Sequence, residues 1–155
     1  MKILFFSNSI WNIYNFRFPL IQEIAKKNKV IVYCNKRKNF KINKGVKSKN
    51  ILIKDINFSS KSIKIFDNIK LIYHIYLILK KEKPSHVFTF TLKPNLYCGV
   101  LSLFLNFSFF PTLSGLGTAY NKGGLFFFFI KLLIKFSFNK INKVFVHNNN
   151  EKKKE

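Results

Sequence analysis

The chain has 155 residues, room for one domain of ordinary size, and 48% of them are hydrophobic, which excludes wholesale disorder. Lys and Arg number 28 against 6 Asp and Glu, a formal net charge of +22 of the kind that draws nucleic acid or an anionic membrane surface. Only two of those basic residues, Arg17 and Arg37, are arginine, and this counts against base-specific nucleic-acid readout, which leans on bidentate Arg contacts.

Lys, Phe, Ile and Asn together make up 83 of the 155 residues. All four have A/T-rich codons, so part of the charge reflects nucleotide bias rather than function. The two cysteines, Cys34 and Cys98, are too few for a disulfide scaffold or a cysteine zinc site. They read as buried apolar residues in a reducing compartment. The apolar run at the N-terminus is too short for a signal peptide. No stretch reaches the roughly 20 apolar residues of a membrane span. The nearest, 96–110 and 125–138, contain Asn106 and the pair Lys131, Lys135. A cytoplasmic protein is expected, with contact at a membrane surface left open.

In chain order, residues 3–6 form a short, wholly apolar run, as expected of a strand buried on both faces. A polar turn over 7–9 follows, then a helix over 16–27 with Pro19 in its first turn. Residues 30–34 form a second apolar strand, 35–50 a lysine-rich loop, and 51–56 an outer strand. Ile65, Ile69, Ile72, Tyr76 and Leu79 recur at helical spacing, with Lys64, Lys70 and Lys81 off that stripe. Pro84 ends this helix, and 86–90 is strand-like. Lys93-Pro94-Asn95 starts a further helix, and 111–113 leads into the glycine turn Ser114-Gly115-Leu116-Gly117. A very apolar helix over 125–139, a last strand over 143–147 and a polar tail complete the pattern. Strands alternating with helices imply an α/β fold, a Rossmann-like parallel sheet with helices on both faces.

Ligands of such sheets bind beyond the carboxyl ends of the strands, at the switch point. The candidate loops are therefore 7–13, 89–95 and 114–120. The glycine turn would let a phosphate or sugar approach the backbone, although such turns are often purely structural. Neither a dinucleotide fingerprint nor a P-loop is present. The acids form no catalytic pair: Glu23 and Glu82 lie in helices near lysines and read as solvated. His74 reads as a surface residue and His86 as packing. No metal site is expected from three scattered histidines. Lys93 stands before a helix N-terminus, where phosphate or sugar hydroxyls would suit it, against the plainer reading of one exposed lysine among many. The helix over 125–140 combines Phe127 and Phe128 with Lys131, Lys135 and Lys140. It reads either as an interfacial helix touching a membrane or as an ordinary buried helix.

Met1 to Ser9, followed by Tyr14-Asn15-Phe16-Arg17-Phe18-Pro19-Leu20-Ile21, resembles the N-terminal domain of family 4 glycosyltransferases of the GT-B fold, of the type that builds bacterial surface polysaccharides and lipid-linked oligosaccharides. The segments Leu79 to Pro84 with His86 to Thr91, Lys93 to Gly99, Ser114 to Tyr120 and Asn142 to Asn148 match that family in order. The resemblance implies a single GT-B N-terminal half over 1–148, with 149–155 as a polar tail and the donor-binding C-terminal domain absent. It implies an acceptor-binding domain of a retaining enzyme that moves a sugar from a nucleotide sugar, a UDP-sugar, to a lipid-linked saccharide, without metal or resident cofactor.

By position, Asn8 and Ser9 would line the interdomain cleft, Lys93 and Asn95 would face the acceptor, and Ser114, Gly115 and Gly117 would lie nearest the reacting sugar. The catalytic residues stay unassigned, since the chain lacks the histidine some relatives place near Ser114 and the glycine-rich first loop of many. Expected partners are a lipid-linked saccharide, the inner-membrane surface and a missing or separate donor-binding domain. On this reading the chain is peripheral on the cytoplasmic face and inactive alone, from a truncated frame or as one subunit of a split enzyme. The competing reading is a basic module that binds lipid or nucleic acid through lysine density.

Overall fold

The computed structural model describes residues 1–36, 49–58, 65–113 and 145–146. Among these residues six parallel strands form one sheet in the order β3-β2-β1-β4-β5-β6: β1 (Lys2–Ser7), β2 (Lys29–Cys34), β3 (Ile51–Asp55), β4 (His86–Phe90), β5 (Ser108–Leu113) and β6 (Phe145–Val146). Order 3-2-1-4-5-6 is that of a doubly wound sheet, whose direction of winding reverses between β1 and β4. In register, Ile3 pairs with Val30 on one side and His86 on the other.

Alternation along β1 builds two cores, because successive side chains of a strand point to opposite faces. Leu4 and Phe6 join Ile31, Tyr33, Ile75, Leu79, Leu96 and Cys98 in one layer. Ile3 and Phe5 join Val30, Val32, Cys34, Ile10, Ile13 and Ile21 in the other. The expected α/β architecture with helices on both faces is therefore present. Cys34 and Cys98 are buried in opposite layers as free thiols. Burial pushes the Cys34 thiol up to about 12 and raises that of Cys98 as well, so both act as apolar packing.

The first helical region starts earlier than its apolar spacing suggests. It runs as α1 (Ile10–Asn12), a π-helical turn (Ile13–Arg17) and α2 (Phe18–Ala25). Ser9 starts it, its Oγ accepting a hydrogen bond from the Asn12 N–H at 3.2 Å. Pro19 has no N–H to donate, and its ring would crowd the carbonyl four residues back; the wider π turn just ahead of it relieves that crowding. Strand β5 also starts earlier than expected, at Ser108, and accommodates Pro111 opposite Thr89. As expected, β3 is an edge strand and β6 is a strand.

α3 (Ile65–Glu82) and α4 (Leu92–Ser102) pack on the same layer. α3 turns a different side inward from the one its spacing suggests. Ile75, Ile78 and Leu79 are buried, whereas Ile69, expected on the inner stripe, is exposed. The helix closes at Lys83, whose φ of 46° places a non-glycine residue in the left-handed cap while its N–H bonds the Leu79 carbonyl at 2.9 Å. Glu82 is the clearest correction. Expected to be solvated, it is 8% exposed and accepts from Lys54 Nζ at 2.6 Å, Lys2 Nζ at 3.2 Å and the Tyr33 hydroxyl at 3.2 Å. These charge-assisted bonds, led by that from Lys54, pull its carboxyl down to about 2.

Candidate functional site at the switch point

The reversal between β1 and β4 brings two loops together at the carboxyl edge of the sheet. The first carries Ser7, Asn8 and Ser9. Ser7 is buried and its hydroxyl donates to Asn12 Oδ1 at 3.4 Å, while Asn8 is half-buried. The Ile10 N–H donates to the Asn35 carbonyl at 3.1 Å, fastening this loop to the end of β2. Ser9 Oγ serves as the helix cap, so its acceptor capacity is partly taken up by backbone.

The second loop runs from Thr89 to Asn95. Thr91 has φ 77° and ψ 156°, a left-handed φ that strongly disfavours a β-branched residue. Its Oγ1 is buried and, among the described residues, has no hydrogen-bond partner. A strained residue with an unsatisfied hydroxyl at a switch point is a functional-site signature, since both costs are tolerated only where something else is gained. One residue earlier, Phe90 ends β4, and the Arg17 guanidinium lies 4.7 Å from the centroid of its ring. Burial lowers the Arg17 pKa, yet an arginine stays charged, so a partly desolvated cation stands at this edge.

Asn95 is expected to face the acceptor; the structure turns it inward. Its side chain is 1% exposed, with Oδ1 accepting from Thr89 Oγ1 at 2.6 Å and Nδ2 donating to the Thr112 carbonyl at 3.0 Å. It brackets β4 to β5 beneath the loop. Lys93 is half-buried rather than freely solvated. Its Nζ donates to Asn68 Oδ1 at 3.1 Å, and that oxygen also accepts from the Tyr97 hydroxyl at 2.7 Å. Burial lowers the Lys93 pKa, with Asp67 opposing the shift. The loop is thereby tied to the start of α3.

Ser114, Gly115, Gly117, Phe127, Phe128, Lys131, Lys135 and Lys140 lie outside the described residues. His74 is exposed, and His86 stacks on Phe110 with centroids 5.6 Å apart, in keeping with surface and packing roles. Among the described residues no cluster of His, Cys, Asp and Glu could hold a metal ion. What the edge offers is hydroxyls, an amide and two cations, a set suited to holding sugar hydroxyls and phosphate rather than to transferring protons by a carboxylate pair. Sequence reasoning misses Thr91 and gives no role to Arg17. The one available signal was the rarity of arginine in so basic a chain.

A doubly wound α/β domain with its ligand loops at the switch point is the class that the fold and site define. The chain matches the family model described as glycosyl transferase 4-like over residues 2–148, and it belongs to that family. Comparison with curated protein sequences finds no match. Among solved structures it is similar to sucrose-phosphate synthase from Thermosynechococcus elongatus, with a TM-score of 0.65 at 15% identity over 99% of this chain and 44% of that one. It is also similar to the lipopolysaccharide outer core galactosyltransferase WaaB in its apo form, with a TM-score of 0.52 at 18% identity over 72% of this chain and 32% of that one. The UDP-glucose 4-epimerase of Thermotoga maritima shares the fold more distantly, with a TM-score of 0.50 at 14% identity over 94% of this chain and 54% of that one. The chain thus spans less than half the length of the first two of these proteins. At these identities the likeness carries the fold, that of a Rossmann-like half of a GT-B enzyme. No described helix is long and apolar enough to cross a membrane.

Proposed function

We propose that these 155 residues are the acceptor-binding half of a retaining glycosyltransferase. A second half, in the same chain or another, holds the nucleotide sugar, a UDP-sugar, and neither half needs a resident metal or cofactor. The acceptor is a lipid-linked saccharide at the cytoplasmic face of the membrane, and the product feeds surface polysaccharide assembly. The observation that carries this reading is the unsatisfied hydroxyl of strained Thr91, next in sequence to the Phe90 ring that carries the Arg17 cation, at the switch point of a family 4-like domain. A saccharide hydroxyl would satisfy the first, and the second adds positive charge that suits a lipid phosphate nearby. A similar fold in a protein that adds galactose to lipopolysaccharide outer core lends the acceptor class support.

The test pairs transfer with one substitution. Labelled sugar should pass from UDP-sugars to an extract of bacterial glycolipids when this chain is combined with a family donor-binding half. Thr91→Val should weaken acceptor binding about tenfold, the loss of one hydrogen bond, while raising unfolding stability by about 1 kcal/mol because a buried orphan hydroxyl disappears. Opposite signs on the two readouts separate a binding role from a structural one. Unchanged acceptor affinity in the variant would reject Thr91 as the contact. Binding to any nucleic acid that collapses with salt, with no saccharide dependence, would favour the basic-module reading instead.

A further inference from the structure

Helix α3 buries Ile75, Ile78, Leu79 and Glu82. At about 100° per residue, the diametrically opposite side carries Phe66, Ile69, Tyr73 and Leu77. All four are exposed, at 79%, 57%, 60% and 44%. Their spacing aligns them in one stripe over three turns, roughly 16 Å long. A helix that simply covers a sheet would present charge there. Lys70, Lys80 and Lys81 lie alongside the stripe and are exposed. The only acidic residue of α3 outside the Glu82 ion pairs is Asp67.

We propose that this stripe docks on an anionic lipid bilayer, with the four apolar side chains entering the headgroup boundary and the three lysines reaching lipid phosphates. Charge selects the occupant. A second copy would bring another chain of net charge +22 against the first, and nucleic acid would leave the apolar stripe uncovered. An anionic bilayer satisfies both the lysines and the apolar side chains. Asn68, near the start of α3 on the side opposite the stripe, accepts hydrogen bonds from Lys93 and Tyr97 and so ties the helix to the 91–95 loop. A docked α3 would therefore hold the 91–95 loop a helix diameter, about 10 Å, from the headgroups, within reach of a saccharide carried on a lipid. In that respect the inference deepens the acceptor reading and rests on it for its purpose.

Flotation with vesicles of phosphatidylcholine containing about 30% phosphatidylglycerol tests it, at about 0.15 M salt. The combined variant Phe66→Ser, Ile69→Ser, Tyr73→Ser, Leu77→Ser should cut the vesicle-bound fraction about tenfold or more while keeping the wild-type circular dichroism. Because Cys34 and Cys98 are buried, a Tyr73→Cys variant takes an environment-sensitive dye at one site. Its emission should shift to the blue on these vesicles and not on pure phosphatidylcholine, and a dye at Glu23→Cys on α2 should stay unshifted. If the combined variant misfolds, the dye arm decides. The proposal falls if the folded variant floats like wild type, if the Tyr73 dye does not respond, or if the variant instead abolishes self-association in sedimentation. Vesicle docking needs no sugar transfer, so a failed transfer assay with intact docking overturns the acceptor reading alone.

Discussion

Lowering the pH from 6 to 2 should cost the protein about 2 kcal/mol of stability that a Glu82→Gln variant lacks at every pH. The Glu82 carboxyl lies at about 2 in the folded chain against an ordinary 4.5, held there chiefly by the Lys54 hydrogen bond and also by Lys2 and Tyr33. A depressed carboxylate stabilises the fold fully above its unfolded value and loses that contribution as pH falls through the folded one. The loss therefore runs from about 4.5 down to about 2. The full shift would be worth more, but Lys2 and Lys54 are each about a third exposed, so solvent screens part of it. Pairing raises the Lys54 pKa in turn, so its contribution persists through the ordinary lysine range and fades at higher pH. Urea midpoints of both proteins at pH 6, 4 and 2 check this. Parallel curves for the two proteins would show that the cluster contributes nothing.

Asn95→Ala should destabilise by about 2–4 kcal/mol, because it strands the Thr89 hydroxyl and the Thr112 carbonyl in a buried setting. Asn95→Asp should not rescue it, since a carboxylate cannot donate to the Thr112 carbonyl. Adding Thr89→Val to Asn95→Ala should recover about 1 kcal/mol by removing the stranded hydroxyl, a coupling that a double-mutant cycle measures. A residue that faced the acceptor would behave otherwise, losing affinity with little change in unfolding. A shift in urea midpoint worth less than about 0.5 kcal/mol would return Asn95 to that role.

The contrast between these two residues shows what a sequence carries. The strands over 3–6, 30–34 and 86–90 are legible because a parallel strand covered on both faces must be apolar throughout. Their alternation with helices then dictates the sheet and its switch point. Glu82 is not legible: Lys81 and Lys83 beside it suggest a solvated acid, whereas the partners that bury it come from 80 and 28 positions away. In α3 the periodicity admits two answers, because the helix is apolar on two opposite sides; Ile69 belongs to the outer one. The position of Asn95 near a ligand loop is legible, but its inward turn depends on where β5 lies. Thr91 gives no warning, for nothing in its residue type announces a φ of 77°.

The pairing of β1 has a consequence for how the chain is made. Its four apolar residues fill the middle of the sheet, with β2 on one edge and β4 on the other. The β4 partner of Ile3 is His86, about 80 positions later. At a synthesis rate of roughly 5–20 residues per second, one edge of β1 waits on the order of 4–16 s on the ribosome with its backbone unpaired and Ile3 to Phe6 unburied. Nascent chains of this protein should depend on a chaperone that shelters short aliphatic and aromatic segments, until translation delivers β4 and closes the gap.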